Sequence, residues 1–149
     1  IHSYGKMGHD TFEKRLAELG IYPDNDPALI VREYIYNMDV CTAAADLIIC
    51  RSGASAISEL EAMGRASVLI PSPVVAGNHQ YHNAMVLGKA GAAVVIEQKD
   101  LTDELIIKKV SELTADPKTL SDLSRKAHEQ CITDTPDRIW SVISELTAK

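Results

Sequence analysis

The residues best placed to do chemistry are 50–59, Cys-Arg-Ser-Gly-Ala-Ser-Ala-Ile-Ser-Glu. They follow the apolar run Leu47-Ile48-Ile49 and lead into a helical pattern that stops at Gly64. A strand that empties through a small, glycine-containing turn into a helix leaves the first helical amides without partners. Such amides bind phosphate with no special side chain. Here those amides belong to Ala54, Ser55 and Ala56, and the small residues Ser52 and Gly53 let an anion come close. Glu59 lies about 6 Å along the axis from Ser55 at ~1.5 Å per residue, roughly the reach from an α-phosphate to the far edge of its ribose. The segment therefore reads as a nucleotide site. The same spacing also fits a plain strand–helix turn with a solvated Glu59.

A second polar cluster, Asn78-His79-Gln80-Tyr81-His82-Asn83, opens another helical stretch. Gln80 and Asn83, three apart, share a helical face, as do His79 and Asn83 at four. Neutral amides carry both donors and acceptors, which suits a hydroxyl-rich ligand such as a sugar. The plainer reading is a polar, capped helix start. No carboxylate or third histidine accompanies His79-x-x-His82, so no metal site is expected. Tyr34 and Ile35 close an expected strand and could flank a flat base or belong to the core. Arg51 could offset pyrophosphate charge or pair with an acidic surface group. A G-x-S-x-G elbow, a P-loop and a G-x-G-x-x-G turn are all missing from these residues.

The elements that must position these groups alternate. Apolar strands are expected over 28–34, 47–50, 67–70 and 93–96, with a strand end at the start of the chain. Helices are expected over 10–19, capped by Asp10 with Glu13 in capping-box position, over 37–46 from Asn37, over 55–63, and over 78–90 with Gly91 as its stop. Three more follow: one capped by Thr102, and two opened by Asp116-Pro117 and Thr135-Pro136 as N-cap plus proline. This is an α/β pattern, a Rossmann-like parallel sheet covered by helices on both faces. In such sheets ligands sit beyond the carboxyl ends of the strands, so residues 2–6, 34–38, 51–55 and 71–80 should build the site.

Composition excludes several classes. A formal net charge of −6 argues against nucleic acid as a partner, since a phosphate backbone calls for a basic face. An anionic ligand must be met by local amides and a few cations. Three widely spaced cysteines, Cys41, Cys50 and Cys131, read as reduced thiols of a cytoplasmic protein. There is no membrane-span pattern and no signal-peptide pattern. The opening Ile1-His2-Ser3-Tyr4-Gly5 reads as a strand end, which suggests a part of something longer or a processed terminus.

Taken together, residues 45–54 with Ser58-Glu59, Tyr34 to Met38, His79-Gln80-x-x-Asn83-Ala84 and Ala90-Gly91-Ala92-Ala93 closely resemble the C-terminal domain of the MurG family. These are the peptidoglycan N-acetylglucosaminyltransferases that convert lipid I to lipid II, enzymes of two Rossmann-like halves in the GT-B arrangement. The resemblance implies one donor-binding domain over 1–149, incomplete at its N-terminus, with C-terminal helices from about 102. It implies UDP-N-acetylglucosamine as donor substrate, with no cofactor and no metal. Ile35 would meet uracil through its backbone, Glu59 the ribose, and the 54–56 amides the α-phosphate. Gln80, with His79 and Asn83 beside it, would read the sugar. Residues 51–53 would line the same cradle.

The family's early loop reads His-Gln-x-Gly, where His2-Ser3-Tyr4-Gly5 stands here, and a family proline after Gly64 is replaced by Arg65-Ala66. The family's glycine-rich loop, lipid-acceptor site, membrane-facing patch and catalytic base have no counterpart in these residues. No catalytic residue is therefore expected in this chain, which alone should bind donor weakly and not transfer it. The lipid-linked acceptor and peripheral attachment to the inner face of the bacterial membrane would come through the other half. Two alternatives share the strand–turn–helix carboxylate: a UDP-N-acetylglucosamine 2-epimerase-like isomerase domain, and a non-catalytic nucleotide-sugar-binding subunit.

Overall fold

Short apolar runs form the strands, and the helix-favouring stretches between them return the chain to the same end of the sheet, which makes every pairing parallel. The computed structural model describes residues 1–148. By packing, the chain divides into two compact units, Ile1–Ala44 and a second that begins at Ala45.

In the first unit β1 (His2–Ser3) pairs with β2 (Val31–Arg32), His2 opposite Val31 and Ser3 opposite Arg32. Helix α1 (His9–Glu18) connects them, and α2 (Met38–Ala44) follows. The ring of Phe12 stacks on His2 at 4.8 Å and on Tyr4 at 5.2 Å, tying α1 to the strand end. Three expectations change here. Asp10 does not cap α1: a 3-10 turn over Lys6–Gly8 runs straight into the helix, so the backbone is already helical at Asp10 and Gly8 holds the cap position. The strand expected over 28–34 shrinks to two residues. Asp26 accepts the Ala28 amide at 2.9 Å, folding its start into a turn, and Tyr34 lies beyond its end, edge-on to Tyr36. Asn37 precedes α2 as expected, but its Oδ1 faces the Cys41 thiol at 3.8 Å.

The second unit carries β3 (Ile48–Cys50), β4 (Ser67–Leu69) and β5 (Val94–Val95) in that spatial order, with Ile49 opposite Val68 and Val68 opposite Val94. Helix α3 (Ala54–Met63) crosses from β3 to β4, and α4 (His79–Ala90) from β4 to β5. Side chains alternate across a strand. Accordingly, Leu69 packs with Ile57 and Leu60 of α3 and Ala84 and Leu87 of α4, whereas Val68 packs on the opposite face. There it meets Leu113 of α5 (Asp103–Thr114) and Leu123 of α6 (Pro117–Glu129). Helices thus cover both faces, as the pattern requires. Full burial of Leu69 and Leu87 stabilises by about 1.5–3 kcal/mol each.

Two glycines fix how closely the layers approach. A Cβ on Gly88 would stand 2.9 Å from Val95 Cγ2, so α4 lies on β5 at a distance only glycine allows. Gly64, at φ 57°, ends α3 in the left-handed region, and a Cβ there would meet His128 Cβ at 3.2 Å. Thr102 caps α5 by accepting the Leu105 amide at 3.1 Å, and Asp116 caps α6 through the amides of Lys118 and Thr119. The last helix, α7 (Thr135–Thr147), begins one residue earlier than Thr135-Pro136 suggests. Asp134 holds the cap position and binds Arg138 Nε at 2.9 Å, so Pro136 falls one place further in. Among the described residues no helix is long and apolar enough to cross a membrane.

Candidate functional site

The chain leaves the sheet at Arg51. The Ile70 amide bonds to the Cys50 carbonyl at 2.9 Å, the last rung of the β3–β4 ladder. Exposed Arg51 donates from Nη1 to the Ile70 carbonyl at 3.1 Å, so its guanidinium lies across the carboxyl ends of both strands. Gly53 then caps α3 in extended backbone, φ −64° and ψ 151°, with no side chain capping the helix and no acidic residue in its first turn. The first intrahelical bond runs from Ile57 to Gly53 at 3.0 Å. The amides of Ala54, Ser55 and Ala56 are therefore left for an outside acceptor, at the positive end of the helix dipole. Nothing stands within 4 Å of where a Gly53 Cβ would be, so the approach is open. Ala54 and Ser55 are exposed, Ala56 half-buried.

Glu59 is exposed, one turn and a half into the same helix. Burial, and then the Glu59 charge, push the Cys50 thiol up to about 11. Cys50 is accordingly a neutral thiol beside the cradle, not a nucleophile. Glu61, the other carboxylate of α3, is half-buried and its pKa is raised by burial, which leaves Glu59 as the carboxylate of this helix open to a ligand.

Helix α4 begins after two left-handed residues, Gly77 at φ 60° and Asn78 at φ 52°. His79 Nδ1 lies 2.8 Å from the Ala76 carbonyl. A carbonyl only accepts, so Nδ1 carries a proton and donates it, and Nε2 is the ring nitrogen left uncommitted. Gln80 Oε1 accepts the Ser72 amide at 2.9 Å. Asn83 Nδ2 donates to the Ser52 carbonyl at 3.1 Å, and the Ser52 hydroxyl donates to the Gln80 carbonyl at 2.8 Å. Ser52 itself is fully buried, so its hydroxyl faces α4 rather than open space.

The second unit thus brings together residues 51–59 and 79–83, the two sequence clusters, at the carboxyl end of one sheet. Ile35 lies in the first unit, half-buried, between β2 and α2. Sequence reasoning placed Ser72 within the site segment 71–80 but gave it no role. Its place between Pro71 and Pro73 marks a turn, but nothing local announces that its amide anchors Gln80. Among the described residues no group of three or more His, Cys, Asp or Glu is placed to hold a metal ion.

Residues 1–139 match the family model described as glycosyltransferase family 28 C-terminal domain. The chain belongs to that family. This family 28 domain is 37% identical over 146 residues to the UDP-N-acetylglucosamine–N-acetylmuramyl-(pentapeptide) pyrophosphoryl-undecaprenol N-acetylglucosamine transferase of Acetivibrio thermocellus, covering 98% of the chain and 38% of that relative. It is 43% identical over 141 residues to the protein of the same name from a Thermoanaerobacter species, covering 94% and 39%. The crystal structure of Acinetobacter baumannii MurG matches with a TM-score of 0.80 at 26% identity, over 97% of this chain and 40% of that one. The family 28 domain therefore spans about two fifths of the length of these relatives. The Rossmann-like fold expected for the C-terminal half of a GT-B enzyme is the fold found.

Proposed function

We propose that this chain holds the UDP-N-acetylglucosamine donor of an inverting N-acetylglucosaminyltransferase that converts lipid I to lipid II in peptidoglycan synthesis. The observation that carries the reading is the start of α3. Three amides there have no capping side chain, an open approach past Gly53, and an exposed carboxylate further along the same helix. The naming of relatives 37% and 43% identical over nearly the whole chain supports the choice of donor.

In this reading the amides of residues 54–56 hold the α-phosphate and Glu59 accepts from the ribose hydroxyls. Gln80 reads the sugar, with His79 and Asn83 beside it. The acceptor's C4 oxygen, giving its proton to a base outside these residues, bonds to the anomeric carbon as the carbon–oxygen bond to UDP breaks on the opposite face. Charge that builds on the leaving pyrophosphate is stabilised by the helix-terminal amides, which are already oriented. Arg51, held across the strand ends by Ile70, keeps guanidinium N–H groups and a positive charge at the same edge. No residue of this chain is assigned as the base, and no cofactor or metal enters. The lipid-linked acceptor site and peripheral attachment to the cytoplasmic face of the membrane are placed outside these residues.

Calorimetry with UDP and UDP-N-acetylglucosamine, on wild type and Glu59→Ala, tests the reading. Binding of both ligands by wild type, weakened in the variant, is expected. Equal affinity of the two proteins for UDP overturns the ribose assignment, and no binding by wild type overturns the donor-binding reading as a whole.

A further inference from the structure

Ser52 is a polar residue with no exposed surface, set between the strand end and the phosphate-binding amides. Its hydroxyl donates to Gln80, 28 residues away, and its carbonyl accepts from Asn83, 31 residues away. Both bonds are tertiary, and both join the turn before α3 to the opening residues of α4, 80 and 83. We propose that Ser52 and Asn83 are positioning residues, a clasp that holds the sugar-facing start of α4 in fixed register with the phosphate-facing start of α3. The proposal rests on the donor-binding reading above.

Apolar packing alone brings α4 to the sheet, through Ala84 and Leu87 against Leu69. That packing lies one to two turns beyond Gln80 and does not direct the helix start, since apolar contact is non-directional. The two Ser52 bonds do, because each has a fixed donor and acceptor and is shielded from competing water. Ser72 adds a third anchor by donating to Gln80 Oε1 from the end of β4. The start of α4 is thereby tied to the turns that follow both β3 and β4. A donor that bridges the two helix starts needs their spacing kept, and a misplacement of about 1 Å can cost ~100-fold in rate. UDP alone does not bridge them, so it should be largely indifferent to the clasp.

The experiment compares wild type, Ser52→Ala, Asn83→Ala and the double variant. UDP and UDP-N-acetylglucosamine affinities are measured by calorimetry on the 149-residue chain, and KM against kcat in the complete gene product that carries it. Each single variant should bind the nucleotide sugar about tenfold more weakly, with UDP affinity held within about twofold. The double variant should lose little more than either single one, because the two bonds serve one register. In turnover the loss should appear in KM for the nucleotide sugar. Parallel loss of both ligands, additive losses, or unchanged affinities overturn the clasp while leaving donor binding intact; a wild type that binds neither ligand overturns both. If Ser52→Ala does not fold, Ser52→Cys, which keeps the volume and weakens the donor to Gln80, carries the test, since Ser52 is buried and touches no ligand.

Discussion

Gln80 turns its side-chain oxygen to the backbone amide of Ser72, 2.9 Å away. A backbone N–H can only donate, so the amide has one possible orientation: Oε1 toward Ser72, and Nε2 with its two hydrogens directed elsewhere. Among the described residues Nε2 donates to no other group. Next to it, His79 donates Nδ1–H to the Ala76 carbonyl, which leaves Nε2 uncommitted. The start of α4 therefore offers the Gln80 donors beside an uncommitted ring nitrogen of His79, a pairing suited to hydroxyls.

Gln80→Glu separates the two ends of that side chain. The carboxylate keeps an acceptor for Ser72 but presents a second acceptor where donors stood. Affinity for UDP-N-acetylglucosamine should fall by about tenfold or more, and affinity for UDP should stay near wild type, as read by calorimetry.

Glu59 is expected to read the ribose, so its effect should depend on the sugar hydroxyls. Wild type should bind UDP more tightly than its 2′-deoxy analogue. Glu59→Ala should weaken UDP by about tenfold and lose the discrimination between the two nucleotides, since a charged hydrogen bond contributes about 1.5–3 kcal/mol. Competition titrations with the two nucleotides read this directly.

Gly88→Ala places a methyl 2.9 Å from Val95 Cγ2. Either α4 or the Val95 side chain must then give way, which should cost about 1–3 kcal/mol of stability. The measurement is the urea midpoint followed by circular dichroism. Because α4 also carries Gln80 and Asn83, the variant should weaken nucleotide-sugar binding more than UDP binding.

The Cys50 thiol sets an alkaline limit on stability. Its value rises from 9.0 to about 11 on folding, through burial first and the Glu59 charge second. A raised value means the folded state favours the neutral thiol. That contribution is complete below about 9 and is lost as the pH climbs toward about 11. Thermal melts should show wild type losing more stability across that window than Cys50→Ala. Alkylation of Cys50 in the folded chain should stay slow at pH 8 and speed up only near the top of the window.

Local signals were legible wherever the deciding partner was a near neighbour. Glycines at 20, 64 and 91 end α1, α3 and α4 because each can take a left-handed φ that side chains resist. Thr102 and Asp116 cap their helices because the amides they bind are two or three residues away. Where two local partners compete, pattern alone does not choose. Asp10 loses its cap to a 3-10 lead-in, Thr135 yields the cap position to Asp134, and Asp26 folds the start of an expected strand into a turn.

By itself the sequence determined the local features of residues 50–59 and 78–83: free amides after a strand, a carboxylate a fixed number of residues on, and neutral amides on one helical face. Those properties follow from covalent spacing and helix geometry, which hold without a tertiary partner. Only the fold decided which atoms remain for a ligand. Ser52 is turned inward, Gln80 is left with donors, His79 gives its Nδ1–H to Ala76, and Asn83 gives its amide to the Ser52 carbonyl. Most of these roles depend on partners 8 to 31 residues away, brought within hydrogen-bond reach only when the sheet and its crossover helices pack.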